Sequence, residues 1–277
     1  MSLDPRVTPL RDGIAARGLE GVLPAEVYLD PRTLRCAAPA AAIRRAPDAA
    51  SEQMDQLLFG ELFDVVEEEG AFLWGQARRD GYVGFVEAAA LAAPLAAPTH
   101  RVAALRTYAF AEASIKTKAA GPYSLNALVT VEETQGRLAK VAGAGWMAIE
   151  HLASIGRFAR DPAAVAERFL GAPYLWGGRE SLGLDCSGLV QQALLACGRA
   201  CPRDADMQQA LGRAISRADF ARGDLVFWKG HVALGLDETR IVHANAHHMA
   251  VAVEPLDEAI ERIKAAGSGE PTAFRRL

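Results

Sequence analysis

The chain has 277 residues, 51% of them hydrophobic and 23% charged, which is typical of a soluble globular protein with one large or two to three small domains. A formal net charge of −4 argues against sequence-independent binding of nucleic acid, which needs a basic surface. No run of 18 apolar residues is present, so we expect no membrane-spanning helix and no membrane partner.

The N-terminal segment, residues 1–35, begins MSLDPRVTPLRDGIAARG and lacks the apolar stretch of a secretory signal. We expect a short helix from Pro9 to Arg17 in this segment, followed by a strand. The cysteines are too few to predict a disulfide scaffold in a chain of this length; they are Cys36, Cys186, Cys197 and Cys201. Together these features predict a reduced, cytoplasmic protein.

Two segments of the first half resemble each other, 56-QLLFGELFDVVEEEGAFLWGQARRDGYVGFVEAAAL-91 and 123-YSLNALVTVEETQGRLAKVAGAGWMAIEHL-152. Each has a Leu-rich strand, a Glu-Glu turn, a second strand and a Gly-aromatic strand. Short strands broken by glycine and acidic turns are typical of small β-barrels. The Ala/Pro-rich stretch 92-AAPLAAPTH-100 separates the two segments. We therefore expect two SH3-like barrels, at residues 36–98 and 99–157.

The second half, residues 158–277, has a different pattern. Asp161 is placed to cap a helix that starts at Pro162 and ends at Gly171. A second helix is expected from Cys186 to Ala196, because apolar residues recur there at helical spacing. Strands are expected later, at residues 224–230, 231–237, 240–245 and 271–276. Helices first and strands later predict an α+β domain with its helices packed on an antiparallel sheet.

Cys186 stands at the start of its predicted helix, between Asp185 and Ser187. The unpaired N–H groups and the dipole of a helix N-terminus lower the pKa of a thiol, which would make Cys186 a nucleophile. His231 would then accept the thiol proton, and His243, on the next strand, would orient the His231 ring.

Two other interpretations of Cys186 stay open. Cysteine is among the residue types most often buried, so Cys186 could be a packed core residue. Alternatively, Cys186, His231 and His243 could bind zinc with an open fourth position, although their spacing lacks the short ligand pairs common in structural zinc sites. Cys197 and Cys201 have no neighbouring histidine and are expected to be packed thiols.

Several motifs, in chain order, resemble those of NlpC/P60 cysteine peptidases. They are Tyr174-x-Trp176-Gly177-Gly178, Asp185-Cys186-Ser187-Gly188-Leu189-Val190, Pro202-Arg203-Asp204-Ala205-x-x-Gln208, Gly223-Asp224-Leu225-Val226-Phe227-Trp228, His231-Val232-Ala233 and Ile241-Val242-His243-Ala244. The resemblance covers roughly residues 160–277 and implies a papain-like α+β fold. It also implies that Cys186 is the nucleophile, His231 the base and His243 the orienting residue, with no cofactor and no metal.

NlpC/P60 peptidases cleave cell-wall peptides, commonly after γ-linked D-glutamate. With SH3-like domains in front, the chain resembles the γ-D-glutamyl-L-diamino acid endopeptidases that act on released muropeptides. In that subfamily, acidic and hydroxyl groups hold the free amino end of L-Ala. The resemblance implies that such groups are Asp185, Ser187, Asp204 and Tyr174, with Tyr82 and Glu52 from the first barrel. Trp176 and Tyr174 could form walls of the pocket, and Arg203 could steer a substrate carboxylate.

Each of these pocket residues also has an ordinary structural interpretation. Asp185 and Asp204 could cap helices, because each precedes a predicted helical stretch. Tyr174, Trp176 and Tyr82 could be aromatic core residues, and Arg203 could form a surface ion pair. Glu61 competes with Glu52 as the acid of the first barrel.

The sequence thus predicts a cytoplasmic peptidase that trims recycled muropeptides, with a small peptide as its partner. Three alternatives stay open. They are a hydrolase of intact peptidoglycan, a wall-binding protein without activity, and a thiol acyltransferase or amidase on a related architecture.

Overall fold

The computed structural model describes residues 3–277. The chain divides into two compact units, with the boundary between Ile155 and Gly156. Among the described residues, no helix is both long enough and apolar enough to span a bilayer.

The first unit opens with a small three-stranded sheet, in which β1 (Leu10–Arg11), β2 (Ile14–Ala16) and β3 (Val27–Leu29) lie in that order. The predicted helix from Pro9 to Arg17 was wrong. Asp12 and Gly13 both have positive φ angles, 48° and 80°, and they reverse the chain between β1 and β2. A single 3₁₀ turn follows at Arg17–Leu19.

The next strands form one seven-stranded sheet in the order β10-β4-β7-β8-β9-β5-β6. They are β4 (Arg32–Cys36), β5 (Ala40–Arg44), β6 (Gln53–Leu58), β7 (Leu62–Glu69), β8 (Phe72–Ala77), β9 (Val83–Glu87) and β10 (Leu91–Ala92). One core cluster of this sheet contains Leu57, Phe63 and Val86. A second cluster packs Trp74 and Phe85 against Ala16, so the N-terminal segment covers part of this sheet.

The remaining strands of the first unit form two sheets, ordered β14-β11-β18 and β13-β12-β17-β16-β15. They are β11 (His100–Val102), β12 (Arg106–Phe110), β13 (Ala119–Ser124), β14 (Leu128–Val129), β15 (Val131–Gln135), β16 (Leu138–Val141), β17 (Gly145–Ala148) and β18 (Leu152–Ser154). Their core also takes in Phe59, whose ring meets Tyr123 edge-on at 5.0 Å.

The internal repeat noticed in the sequence has a structural counterpart. The Gly-aromatic segments lie in β9 and β17, and each is followed by a 3₁₀ turn and a short strand, β10 or β18. The strands of the first copy begin at Arg32, inside the predicted N-terminal segment, and those of the second copy end at Ser154.

The second unit is an α+β fold, as predicted. Its helices are α1 (Pro162–Glu167), α2 (Cys186–Ala196), α3 (Ala205–Gln208) and α4 (Leu256–Ile263). A two-stranded ribbon of β19 (Arg179–Glu180) and β20 (Gly183–Leu184) precedes α2. The antiparallel main sheet has the order β21-β26-β22-β23-β24-β25. Its strands are β21 (Arg213–Ala214), β22 (Leu225–Trp228), β23 (His231–Gly235), β24 (Arg240–Asn245), β25 (Ala250–Pro255) and β26 (Ala273–Arg276).

Helix α2 has the predicted bounds and packs against β23 and β24, with Leu189 and Ala193 completely buried. Helix α1 begins as predicted, since the Asp161 side chain accepts a hydrogen bond from the Ala163 N–H at 2.9 Å, but it ends at Glu167 rather than at Gly171. Strand β25 and helix α4 were not predicted.

Candidate active site

Cys186 is the first residue of α2, and the cap of this helix fixes where its thiol lies. The Asp185 carboxylate accepts hydrogen bonds from the N–H groups of Gly188, at 2.7 Å, and Gly177, at 2.9 Å. A Cβ atom at Gly188 would lie 2.2 Å from the Gly178 carbonyl oxygen, so only glycine lets the turn approach the helix this closely. The sulfur accepts a hydrogen bond from the backbone N–H of Val232, the residue next to His231, and Cys186 is 6% exposed.

The two predicted histidines do come together, on neighbouring strands of the main sheet. Nε2 of His231, on β23, lies 2.8 Å from Nδ1 of His243, on β24. Nε2 of His243 lies 2.6 Å from a carboxylate oxygen of Glu254, on β25. Arg262, on α4, forms an ion pair with the same carboxylate. We call His231, His243 and Glu254 the histidine relay.

The chemistry of Glu254 sets the proton positions along this relay. Burial raises the pKa of Glu254, but hydrogen bonds from His243 and Arg262 outweigh it and lower the pKa to about 2. An ionised carboxylate can only accept hydrogen bonds, so His243 must carry its proton on Nε2. Nδ1 of His243 is then an acceptor, and His231 must donate from its own Nε2. Nδ1 of His231 is left without a proton and can accept one.

The expected lowering of the thiol pKa was wrong. Burial, followed by the negative charge of Asp185, raises the pKa of Cys186 to about 12, and the backbone hydrogen bonds to the sulfur do not reverse this. Burial and the neighbouring His243 lower the pKa of His231 to about 3. Desolvation therefore exceeds the effect of the helix N-terminus, and the resting pair is a neutral thiol beside a neutral imidazole.

Arg203 does not lie at the surface, as a surface ion pair would require, but is 1% exposed and pairs with Asp185. Its Nη1 and Nη2 donate to the two carboxylate oxygens at 3.0 and 2.7 Å. Nη1 also donates to the Ser187 hydroxyl oxygen at 2.9 Å, and Nη2 to the Gly178 carbonyl at 3.3 Å. The fork that was expected to steer a substrate carboxylate is thus engaged within the protein. Asp185 both caps α2 and has its charge balanced by Arg203.

Three further predicted residues differ in their burial and surroundings. Tyr174 is half-buried, and burial, followed by electrostatic interactions with Cys186 and Asp185, raises its pKa, so its hydroxyl group lies near these two residues. Asp204 is also half-buried, and although it stands at the N-cap position of α3, its side chain makes no capping hydrogen bond. Trp176 is 57% exposed, so it is not a core aromatic residue.

Tyr82 and Glu52, the pocket residues predicted in the first barrel, have partners within the first unit. Tyr82 is 4% exposed and its ring belongs to the core cluster of the seven-stranded sheet. Glu52 forms an ion pair with Arg45 at 2.8 Å, whereas the buried Glu61 pairs with Arg79 at the same distance. The role of Tyr82 and Glu52 in a substrate pocket stays a prediction.

Sequence reasoning missed Glu254, which completes the relay. It lies 11 positions beyond His243 in a segment, 250-AVAVEP-255, without a recognisable motif. Only the pairing of β24 with β25 brings it onto the same face as His243, since Ala252 is the residue directly opposite His243. Over residues 3–277, no cluster of three or more His, Cys, Asp or Glu side chains has a geometry suited to a metal ion.

Residues 171–266 match the NlpC/P60 family, and residues 43–91 match the bacterial dipeptidyl-peptidase Sh3 domain. The chain carries an NlpC/P60 domain. This match includes Cys186, His231, His243 and Glu254. The Sh3 match lies within the first of the two strand repeats.

Relatives of known name match over part of the chain. Dipeptidyl-peptidase 6 of Lysinibacillus sphaericus is 38% identical over 110 residues, which are 39% of this chain and 41% of the relative. Gamma-D-glutamyl-L-lysine dipeptidyl-peptidase of Bacillus subtilis (strain 168) is 34% identical over 110 residues, 37% of each. The chain thus spans well under half the length of these relatives.

A solved structure extends the likeness in fold. The crystal structure of an NlpC/P60 family protein from Bacillus cereus ATCC 10987 superposes with a TM-score of 0.75 at 20% identity, covering 88% of this chain and 99% of that one. At this identity the comparison shows a shared fold.

Proposed function

We propose that this protein is a cysteine peptidase that cleaves the bond between γ-D-glutamate and an L-diamino acid in small cell-wall peptides with a free N-terminal L-Ala. The observation that carries the proposal is the histidine relay beside Cys186, at the start of a helix in an NlpC/P60 domain. The bond is chosen because two relatives are named for γ-D-glutamyl-L-lysine and dipeptidyl-peptidase activities.

In the proposed reaction, the Cys186 sulfur attacks the carbonyl carbon of the γ-glutamyl bond while its proton moves to Nδ1 of His231. The C–N bond then breaks, and the departing amine of the diamino acid takes that proton. A water molecule, deprotonated by His231, hydrolyses the thioester and regenerates the thiol. The Glu254 carboxylate, which His243 links to His231, stabilises the positive charge that His231 carries between these steps.

We further propose that a carboxylate recognises the free α-ammonium group of L-Ala, and that Asp204 supplies it. Asp185 was an equal candidate, but its charge is already balanced by the buried guanidinium of Arg203. The Asp204 side chain makes no capping hydrogen bond, so capping does not account for its position. Tyr174 and Ser187 add hydroxyl groups near the thiol, Trp176 a wall, and Tyr82 and Glu52 the predicted contributions of the first unit.

Such selectivity would restrict the enzyme to peptides already released from the wall, because the glycan-linked amine is an amide and carries no charge. We therefore propose a role in recycling muropeptides in the cytoplasm. Cleavage of intact peptidoglycan, or wall binding without cleavage, are the alternatives that the same experiment separates.

The test uses two peptides that differ only at the amine, L-Ala-γ-D-Glu-L-Lys and its N-acetyl derivative, with products identified by mass spectrometry. We expect release of L-Ala-γ-D-Glu from the free peptide and a kcat/KM roughly a thousandfold lower for the acetylated one, since buried carboxylates would lose their partner. Comparable values would overturn the ammonium pocket, and no cleavage of either would overturn the proposed reaction. A chelator should leave the rate unchanged.

A further inference from the structure

The first unit contains a cavity of about 260 Å³ that lies far along the chain from the histidine relay. The Ala/Pro-rich stretch at residues 94–98 forms one wall of it, and β14 and β7 contribute others. Most of the lining is apolar; the larger side chains are Phe59, Leu62, Pro94, Leu95, Pro98 and Leu128.

One charged side chain, Arg35, lines this apolar cavity and is 8% exposed. Its Nε has no hydrogen-bond partner, and its Nη1 makes only a long contact, 3.4 Å, to the Cys36 carbonyl oxygen. Its guanidinium lies over the Phe59 ring, 5.6 Å from the centroid. Its Nη2 would lie 2.9 Å from a Cβ at Gly143, so the guanidinium group packs closely against that residue.

Arg35 differs in this respect from the other deeply buried arginine described above. Arg203 donates to both oxygens of Asp185, whereas no carboxylate of residues 3–277 lies within ion-pair distance of Arg35. A buried charge without a counter-charge is costly, and a single cation–π contact offsets only part of that cost. One negative charge in the cavity would therefore balance the charge of Arg35.

We propose that this cavity binds a small monocarboxylate that carries an apolar group, with Arg35 holding the carboxylate. A guanidinium fork matches the two oxygens of a carboxylate. A phosphate group would bring close to two negative charges against one positive charge, and the excess would be buried among apolar side chains. The apolar walls favour a ligand with a hydrocarbon group. The volume of this cavity exceeds the roughly 150 Å³ of a cavity that accommodates benzene.

This inference is independent of the proposed peptidase activity, because all of the residues that carry it lie in the first unit. The carboxylate could belong to a free short-chain acid or to the C-terminal residue of a peptide. The two sources share the same chemistry at Arg35, and the experiment separates them.

The test is calorimetric titration of the full chain with hexanoate, with the neutral isostere hexanamide, and with the tripeptide Gly-Gly-Leu. We expect saturable binding of at least one carboxylate with a Kd of about 1 mM or tighter, and none of hexanamide. Binding of hexanoate alone identifies a free acid, and tighter binding of the tripeptide identifies a C-terminus. No saturable binding of either carboxylate at about 10 mM, or equal binding of hexanamide, would overturn the proposal.

Two variants locate the site. Arg35→Met, which is of similar length but apolar, should abolish carboxylate binding, and Arg44→Met, on β5 of the same sheet but outside this cavity, should not. Leu95→Ala alters a wall residue that is 43% exposed, so the fold should persist; it should weaken hexanoate binding about tenfold while leaving the weaker binding of acetate unchanged. Carboxylate binding that survives in both Arg35→Met and Leu95→Ala would place the ligand elsewhere and refute the assignment.

Discussion

Replacement of Glu254 is the sharpest test of the histidine relay, because this residue reaches the thiol only through two imidazole rings. Glu254→Ala removes the acceptor for Nε2 of His243, whereas Glu254→Gln can keep an acceptor oxygen in place without the charge. Both His243 and Arg262 donate to Oε1, while the second oxygen has only a 3.4 Å contact with Arg262. A glutamine oxygen at the Oε1 position therefore preserves the His243 bond.

The size of the effect follows from the hydrogen bond that is lost. A bond to an ionised group contributes about 1.5–3 kcal/mol. This bond gains strength when His231 becomes an imidazolium ion, so its loss costs more in the transition state than in the resting state and raises the barrier. We expect kcat to fall roughly a hundredfold in Glu254→Ala and roughly tenfold in Glu254→Gln, with KM unchanged in both.

The assay is steady-state cleavage of L-Ala-γ-D-Glu-L-Lys, with the fold checked by circular dichroism. Glu261→Gln removes one exposed carboxylate from the same helix as Arg262 and should behave as the parent protein. A change in kcat below about twofold for Glu254→Ala, or a loss confined to KM, would refute the role of Glu254 in stabilising the imidazolium ion.

The remaining predictions concern the thiol, its base and the ammonium pocket. Cys186→Ala should abolish turnover, and Cys197→Ala should not. His231→Ala should lower kcat more than His243→Ala does. The reverse order would exchange the roles of the two histidines. Because the pKa of the Cys186 thiol is raised to about 12, iodoacetamide should modify Cys186 slowly at pH 7, and the rate should rise about tenfold per pH unit above it. Mass spectrometry measures this rate, with the partly exposed Cys197 as the reference thiol. Fast modification of Cys186 at pH 7 would contradict the raised pKa. His231 must be neutral to accept a proton, and its pKa is lowered to about 3, so kcat/KM should show no acid limb near pH 6.5; a limb there would refute the lowered pKa. Asp204→Asn should raise the KM for the peptide with a free N-terminal L-Ala about tenfold without altering kcat. An unchanged KM would mean that another acidic residue binds the ammonium group.

Much of the second unit could be predicted from local signals. Asp185 before an apolar helical pattern predicts a capped helix, and it forms with the predicted bounds. His231 and His243 lie in two consecutive predicted strands, and the antiparallel pairing of these strands brings their rings together. These inferences succeeded because capping and periodicity depend on residues close together in the chain.

The features that sequence reasoning missed depend on burial or on distant pairing. Arg203 lies 18 positions from Asp185, and nothing in the local pattern shows that the two meet away from water. The sign of the shift in the pKa of Cys186 results from competition between the helix N-terminus and desolvation, and only the structure shows that the thiol is 6% exposed. In the N-terminal segment, the positive φ angle at Asp12 replaced the expected helix by a turn.

The electrostatic arrangement is compatible with a protonated thiol as the nucleophile of the proposed reaction. The ionised groups nearest the Cys186–His231 pair balance each other, since Asp185 is matched by Arg203 and Glu254 by Arg262. The resting pair is neutral and buried, so a separated thiolate and imidazolium are both unfavourable before substrate arrives. An attack that moves the proton as the C–S bond forms avoids that state, because negative charge passes to the substrate oxygen while the relay holds the positive charge. The proposed reaction thus depends less on a preformed ion pair than on a prearranged acceptor for the proton, which is the tautomer of His231 that Glu254 imposes through His243.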